Sequence, residues 1–244
     1  MIGQAAAHHN LDMIEQLKGA DSRRLYHQIA DQLREKIRQG HYSLGSRLPP
    51  ERELALQLGV SRPSVREALI ALEIAGCVEV RMGAGIYVRG SGDGEATTGL
   101  GESPLELMQA RVVLEGGLMP QACARATPTA LAAVREALEA MREAMQAGRP
   151  ALDADRRFHL AVAALVGNTV LERMVGELFN GRYSPMSLQL SALADTHQNW
   201  QDALTEHERI LHALEAQDPL AAQAAMRTHL LNAQERWAGN RLKG

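Results

Sequence analysis

Asp155 and His159 stand four residues apart in ALDADRRFHLAVAALVGN. On a helix that spacing puts a carboxylate and an imidazole on one face, one turn apart, where both can reach a single ion. Two further imidazoles come from His207, in ALTEHERILHALEAQ, and His229, in AAQAAMRTHLLNAQ. The break Gln217-Asp218-Pro219 between these two segments predicts antiparallel neighbouring helices. Each histidine lies about ten residues from the break, which sets both at one height. One carboxylate with three histidines suits zinc, or nickel or another first-row divalent metal, and leaves coordination positions for water or a ligand. The alternative is that these are surface or satisfied core residues, since the chain has nine histidines.

A second group of residues is suited to nucleic acid. In Leu48–Gly76, LPPERELALQLGVSRPSVREALIALEIAG, Pro49 and Pro50 hold the chain extended before a helix that opens with Glu51 and Glu53 at its positive end. Gly59 breaks that helix and Ser61 is placed to cap the next. In the second helix Val65, Leu69 and Leu72 form the apolar face, which predicts Arg62, Ser64 and Arg66 toward solvent, side chains that bond phosphates and base edges. Cys77–Arg81 and Ile86–Arg89 are β-rich runs around a glycine turn, a two-stranded wing. Upstream, Leu25, Ile29, Leu33 and Ile37 mark a helix that packs behind the other two.

The elements around these groups divide the chain. Residues 1–21 read as a loose arm, 22–90 as a winged helix-turn-helix domain, 91–103 as a flexible glycine-rich linker, and 104–240 as an all-helical domain. In the last, Thr127-Pro128, Gly148-Arg149-Pro150, Gly167-Asn168 and Asp218-Pro219 punctuate six or seven helices. The fold class expected is mainly α: an N-terminal winged helix-turn-helix joined by a flexible linker to an all-α bundle. Net charge is only −3, but residues 22–90 carry eleven Lys/Arg against seven Asp/Glu and residues 91–244 fourteen against nineteen, so the basic excess sits in the winged helix. Two cysteines, one per domain, give neither a disulfide framework nor a cysteine metal site. No apolar run of membrane-spanning length occurs and the start lacks the pattern of a secretory leader, so a cytoplasmic protein without membrane contact is expected.

The run from YHQIADQLREKIRQ to GAGIYV strongly resembles the amino-terminal domain of GntR-type bacterial transcription regulators. That resemblance implies DNA contacts from Arg52, Arg62 and Arg66, with Ser61 and Ser64 on phosphates or bases and Gly83 at the wing tip in the minor groove. For Arg52 and Arg66 the alternative is pairing with nearby glutamates. Residues 104–238 resemble the FCD-type effector domain of the FadR branch, through Asp155, Phe158-His159, Glu206-His207 and His229. The match implies a metal bound by Asp155, His159, His207 and His229, and an arginine, Arg111, that faces the metal and grips a ligand carboxylate. On spacing alone Arg111 pairs equally well with Glu115. Asn168 and Arg182 are further ligand-binding candidates, with a helix-end role the alternative for Asn168. SRRLYHQIA, SPLELMQARVVLE and NWQDALTEHERILHALEAQDPLAAQAAMRTHL carry a likeness to regulators of hexuronate use within that branch, which implies a sugar-acid effector. GRYSPMSLQLSALADTHQ is poor in the aromatic and basic residues that a sugar ring calls for.

These readings together give a homodimeric repressor that binds double-stranded operator DNA and is released by a small carboxylate. Two other readings stay open: a metal-dependent enzyme acting on a sugar acid, and a DNA-binding protein whose helical domain is a structural dimerisation scaffold. Glu206 is a poor general base for the enzyme because it lies about 100° around the helix from His207.

Overall fold

The computed structural model describes residues 25–81, 84–90 and 99–237 and divides into two compact units, Met1–Ser103 and Pro104–Gly244. In the first, α1 (Leu25–Arg38) buries Tyr26, Ile29, Leu33 and Ile37 at three- and four-residue steps and packs on α3 (Arg62–Ile74). α2 (Glu51–Leu58) ends at Gly59, whose φ of 66° is the left-handed conformation that closes a helix and that glycine adopts without a Cβ penalty. Ser61 then accepts a hydrogen bond from the Ser64 N–H at 3.2 Å, and Pro63 occupies the first turn of α3 where its missing donor costs nothing.

The wing is the antiparallel pair β1 (Val78–Arg81) and β2 (Gly85–Val88), in register from Val78 opposite Val88 to Arg81 opposite Gly85. Residues 45–48 run along its free edge: the Leu48 N–H donates to Ile86 O and the Val88 N–H to Ser46 O. The proposed wing-tip residue Gly83 and the arm 1–21 lie outside the described residues.

Residues 99–103, which the glycine pattern assigns to a flexible linker, pack on this first unit instead. Leu100 is buried, the Tyr26 hydroxyl donates to Gly101 O at 3.1 Å, and the Ser103 hydroxyl meets both carboxylate oxygens of Glu67. One leucine and one serine with partners outweigh the freedom of the glycines around them.

The second unit is an all-α bundle: α4 (Pro104–Ala124), α5 (Ala132–Gln146), α6 (Leu152–Leu165), α7 (Thr169–Asn180), a 3-10 turn (Gly181–Tyr183), α8 (Pro185–Ala194), α9 (His197–Glu215) and α10 (Pro219–Trp237). α4 packs most extensively on α10, and a Cβ at Gly116 would come within 2.7 Å of Arg227 Cγ, so glycine permits that approach. Met119, Phe158, Val175, Ile210, Leu214, Met226 and Leu230 are fully buried and tie α4, α6, α7, α9 and α10 into one core. Two ionised side chains, Arg111 and Glu115, sit inside the same apolar surface of α4 and are almost wholly buried. Burial of such groups is costly unless each is paired, so they mark where the bundle does something besides pack. Among the described residues no helix is long and apolar enough to cross a membrane.

Candidate metal centre

α6 brings Asp155 and His159 to the core one turn apart, α9 brings His207, and α10 brings His229. All four are buried, and one donor atom from each lies within 4.8 Å of the others. His159 Nε2 and His207 Nε2 are 3.4 Å apart, and Asp155 Oδ1 faces them at 3.5 and 3.1 Å. The predicted antiparallel pairing of the last two long helices is present: α9 packs on α10, with the His207 and His229 rings 4.2 Å apart.

The outward atoms of these four residues are all engaged. His159 Nδ1 lies 2.5 Å from Glu115 Oε2, His207 Nδ1 2.7 Å from the Ala203 carbonyl, and His229 Nδ1 2.8 Å from Glu206 Oε2. Because each partner is an acceptor, it fixes a proton on Nδ1 and leaves the Nε2 lone pair for an ion, the tautomer that carboxylate–histidine–metal arrangements require. Asp155 Oδ2 takes a hydrogen bond from Arg182, while its buried Oδ1 has no well-aligned hydrogen-bond donor. An orphaned carboxylate oxygen beside three inward imidazole nitrogens fits a divalent cation, with Asp155, His159, His207 and His229 as the residues that would hold it.

The charges around the centre are balanced in pairs. Burial alone would raise Glu115, but Arg111, whose Nε donates to Glu115 Oε1 at 2.6 Å, and His159 hold it at about 2. Burial likewise opposes Glu206, which hydrogen bonds from His229 and Arg236 keep at about 2. Glu206 is further held by Asn232 and by both Arg236 nitrogens. Burial would raise Asp155, yet His159, His207 and Arg182 leave it well below the usual carboxylate range. Burial, and then the His207 ring, push His229 down to about 3, so it stays a neutral donor; burial also opposes a charge on His159, but Glu115 outweighs it and raises that ring.

An acid dependence follows. His229 is depressed on folding, so the unfolded chain binds more protons between pH 6.5 and about 3 and stability falls as pH falls through that window. Glu115 and Glu206 add a loss of the same sign as pH drops from 4.5 toward about 2, while the raised His159 acts in the opposite sense above pH 6.5. Metal-stripped protein is therefore expected to show a falling unfolding midpoint as pH falls from 6.5 to about 3. A midpoint that rises toward acid contradicts this charge arrangement.

Beside the centre lies a cavity of about 240 Å³ lined by Asp155, His229 and three arginines, Arg111, Arg182 and Arg236. Arg111 Nη2 and Arg182 Nε are buried without a hydrogen-bond partner among the described residues. Arg111 pairs with Glu115, as its spacing allows, and it also lines the cavity, as the resemblance implies. Arg182 reaches the cavity as well. Asn168 does not. It is exposed and caps α7 by accepting from the Val170 and Leu171 N–H groups, so its carbonyl is spent on a helix start rather than on a ligand.

Glu115 and Glu206 as partners of the metal histidines, and Arg236, Trp200 and Trp237 as cavity residues, are not among the residues the sequence singles out. For Glu206 the signal was its position beside His207: a residue about 100° round from one ligand faces the neighbouring helix, here α10 and His229.

In the first unit Arg62 and Arg52 are exposed, Arg62 at the start of α3. Ser61 is exposed, its hydroxyl engaged in the cap. Ser64 does not face solvent as expected: it is buried with its hydroxyl 2.8 Å from that of Ser61, because the cap draws the two serines together. Arg66 is partly buried in a forked pair with Glu51 at 2.6 and 2.8 Å, the alternative open to it from sequence.

Residues 25–88 match the family described as bacterial regulatory proteins of the gntR family, and residues 106–232 match the FCD domain. The Uxu operon transcriptional regulator of Escherichia coli K12 is 37% identical over 230 residues, covering 90% of each chain. The Exu regulon transcriptional regulator of the same organism is 35% identical, over 87% of this chain and 84% of its own. The solved structure of E. coli McbR/YncC aligns with a TM-score of 0.50 at 23% identity, over 89% of this chain and 99% of that one, a likeness of fold.

Proposed function

The chain belongs to the GntR family of bacterial transcription regulators and carries the FCD domain, and from that premise we propose that it is a repressor of hexuronate use. In this reading a sugar acid binds at a zinc-type centre in the helical unit and releases the operator. The observation that carries the effector class is the cavity beside the four inward donors, which Arg111 lines and where its buried Nη2 has no hydrogen-bond partner among the described residues. A planar fork matches two carboxylate oxygens, and a buried donor without a partner is stabilised most by an anionic acceptor. The Uxu and Exu regulators, at 37% and 35% identity over most of their length, support the hexuronate within the carboxylate class.

A divalent ion held by Asp155, His159, His207 and His229 supplies a Lewis-acidic centre for a carboxylate and an adjacent hydroxyl. The protein contributes the rest. Glu115, Glu206 and the Ala203 carbonyl orient the three rings, Arg182 orients Asp155, and Arg111 neutralises the incoming charge. Regulators of this family are transcription factors rather than enzymes, and Glu206, held by His229, Asn232 and Arg236, has no oxygen left for a general base.

Two copies in a homodimer present two recognition helices to successive major grooves of a palindrome. An effector that prefers the bundle geometry incompatible with that spacing lowers DNA affinity by the ratio of its own affinities for the two states. Arg62→Ala is expected to weaken operator binding at fixed salt by about 1–3 kcal/mol while leaving D-galacturonate affinity unchanged. Fluorescence anisotropy with a duplex selected by the protein itself measures this, and unchanged DNA affinity removes α3 as the recognition helix.

A further inference from the structure

The chain has two tryptophans, and both line the cavity beside the metal centre. Trp200 comes from the first turns of α9 and Trp237 from the last residue of α10. Neither lies in GRYSPMSLQLSALADTHQ, the segment poor in the aromatic residues that a sugar ring calls for. Each is fixed in place by polar groups: the Trp200 Nε1–H donates to Asp195 Oδ1, and the Trp237 ring lies 5.1 Å from the Arg182 guanidinium, which also faces Phe179 at 5.2 Å. Arg182 in turn holds Asp155, one of the metal donors.

We infer that Trp200 and Trp237 are the specificity-determining residues of the effector site, giving it a preference for a six-carbon sugar acid over a short hydroxy acid. This rests on the reading of the cavity as an effector site. A hydroxy acid of any length offers the same head, a carboxylate and a neighbouring hydroxyl, to the metal and to Arg111. Those groups cannot tell a hexuronate from lactate. Discrimination must come from what meets the remaining carbons, and a sugar carries C–H groups on its faces with hydroxyls around its rim. Flat indole rings take the faces, and the cavity's few polar groups outside the metal side take the rim, among them Ser191 and the oxygens that Asp195 and Asn199 keep after Asp195 binds Trp200 and the Asn199 amide N–H binds Ala194 O. One water needs only about 10–15 Å³ of such space, so the volume of about 240 Å³ is more than a three-carbon acid fills. A short acid would leave the indole walls in contact with water and gain nothing from them.

Because both indoles line the cavity, intrinsic fluorescence reports its occupation. The test titrates zinc-loaded wild type, Trp200→Leu, Trp237→Leu and Trp237→Phe with D-glucuronate, D-galacturonate and L-lactate, using calorimetry as the common readout and fluorescence where an indole remains. Hexuronate affinity is expected to fall at least about tenfold in each leucine variant, the scale of losing apolar contact in a pocket, with lactate affinity unchanged. Trp237→Phe, which keeps a flat ring, is expected to recover most of the loss. Hexuronate binding equal to wild type in both leucine variants overturns the inference and leaves the effector site standing, as does equal loss of all three acids in folded, zinc-binding variants. If wild type binds none of the acids, the effector reading itself fails and takes this inference with it.

Discussion

Asp155→Ala protein is expected to purify without metal and to be about 3–5 kcal/mol less stable than the wild type. The substitution removes one of four donors and the orphaned oxygen between His159 and His207. It also strips Arg182 of its carboxylate partner in an enclosed site, where its side chain is only 12% exposed. An unpaired buried guanidinium costs far more than the pair contributed, because desolvation is no longer offset. Asp155→Asn keeps the shape and one acceptor oxygen, so it separates the two effects: metal is lost and stability falls less. Metal content by emission spectroscopy and denaturant unfolding measure both. Wild-type metal content in Asp155→Ala removes this residue from the centre.

Arg111→Met is expected to leave metal binding within about tenfold of wild type, because Arg111 bonds Glu115 and no metal donor, whereas losing a group bonded directly to a donor typically costs about 10–100-fold. Hexuronate affinity is expected to fall by about 2–5 kcal/mol, the cost of removing one partner of a buried charge pair. The guanidinium sits 4.5 Å over the Phe179 ring and against Glu115, so its direction is set before a ligand arrives. Arg111→Lys keeps the charge without the fork and should restore only part of the affinity. Calorimetric titration of zinc and of D-galacturonate into each variant measures the split. Equal loss of metal and sugar acid places Arg111 in the support of the centre, as a partner of Glu115 alone.

What was legible in the sequence was whatever helical periodicity carries. Asp155 and His159 share a face because they are four apart, and His207 and His229 meet because a three-residue break forces their helices to run back on each other. Gly59 and Ser61 mark a helix end and a helix start through chemistry confined to a few residues. The same locality explains the misses. Asn168 follows the metal helix in sequence, but its amide oxygen finds two backbone donors within three residues, a nearer demand than a ligand. Ser64 lies three residues from Ser61 and is drawn into the cap. Glu115 and Glu206 act across helices, on His159 and His229, so their roles depend on how α4 meets α6 and how α9 meets α10. The tryptophans lie 17 residues before and 18 residues after the same break, so the rule that levels His207 with His229 levels them too, but height alone does not say that they face a cavity.

The most direct measurement is the affinity of the intact protein for a duplex it has itself selected, followed by fluorescence anisotropy with and without D-galacturonate and D-glucuronate, before chelation, after chelation, and after zinc is restored. The expected result is that one of the two acids weakens DNA binding, that chelation abolishes the effect, and that zinc returns it. DNA affinity indifferent to both acids, or a response to them that survives chelation, contradicts a repressor controlled through the Asp155–His159–His207–His229 centre.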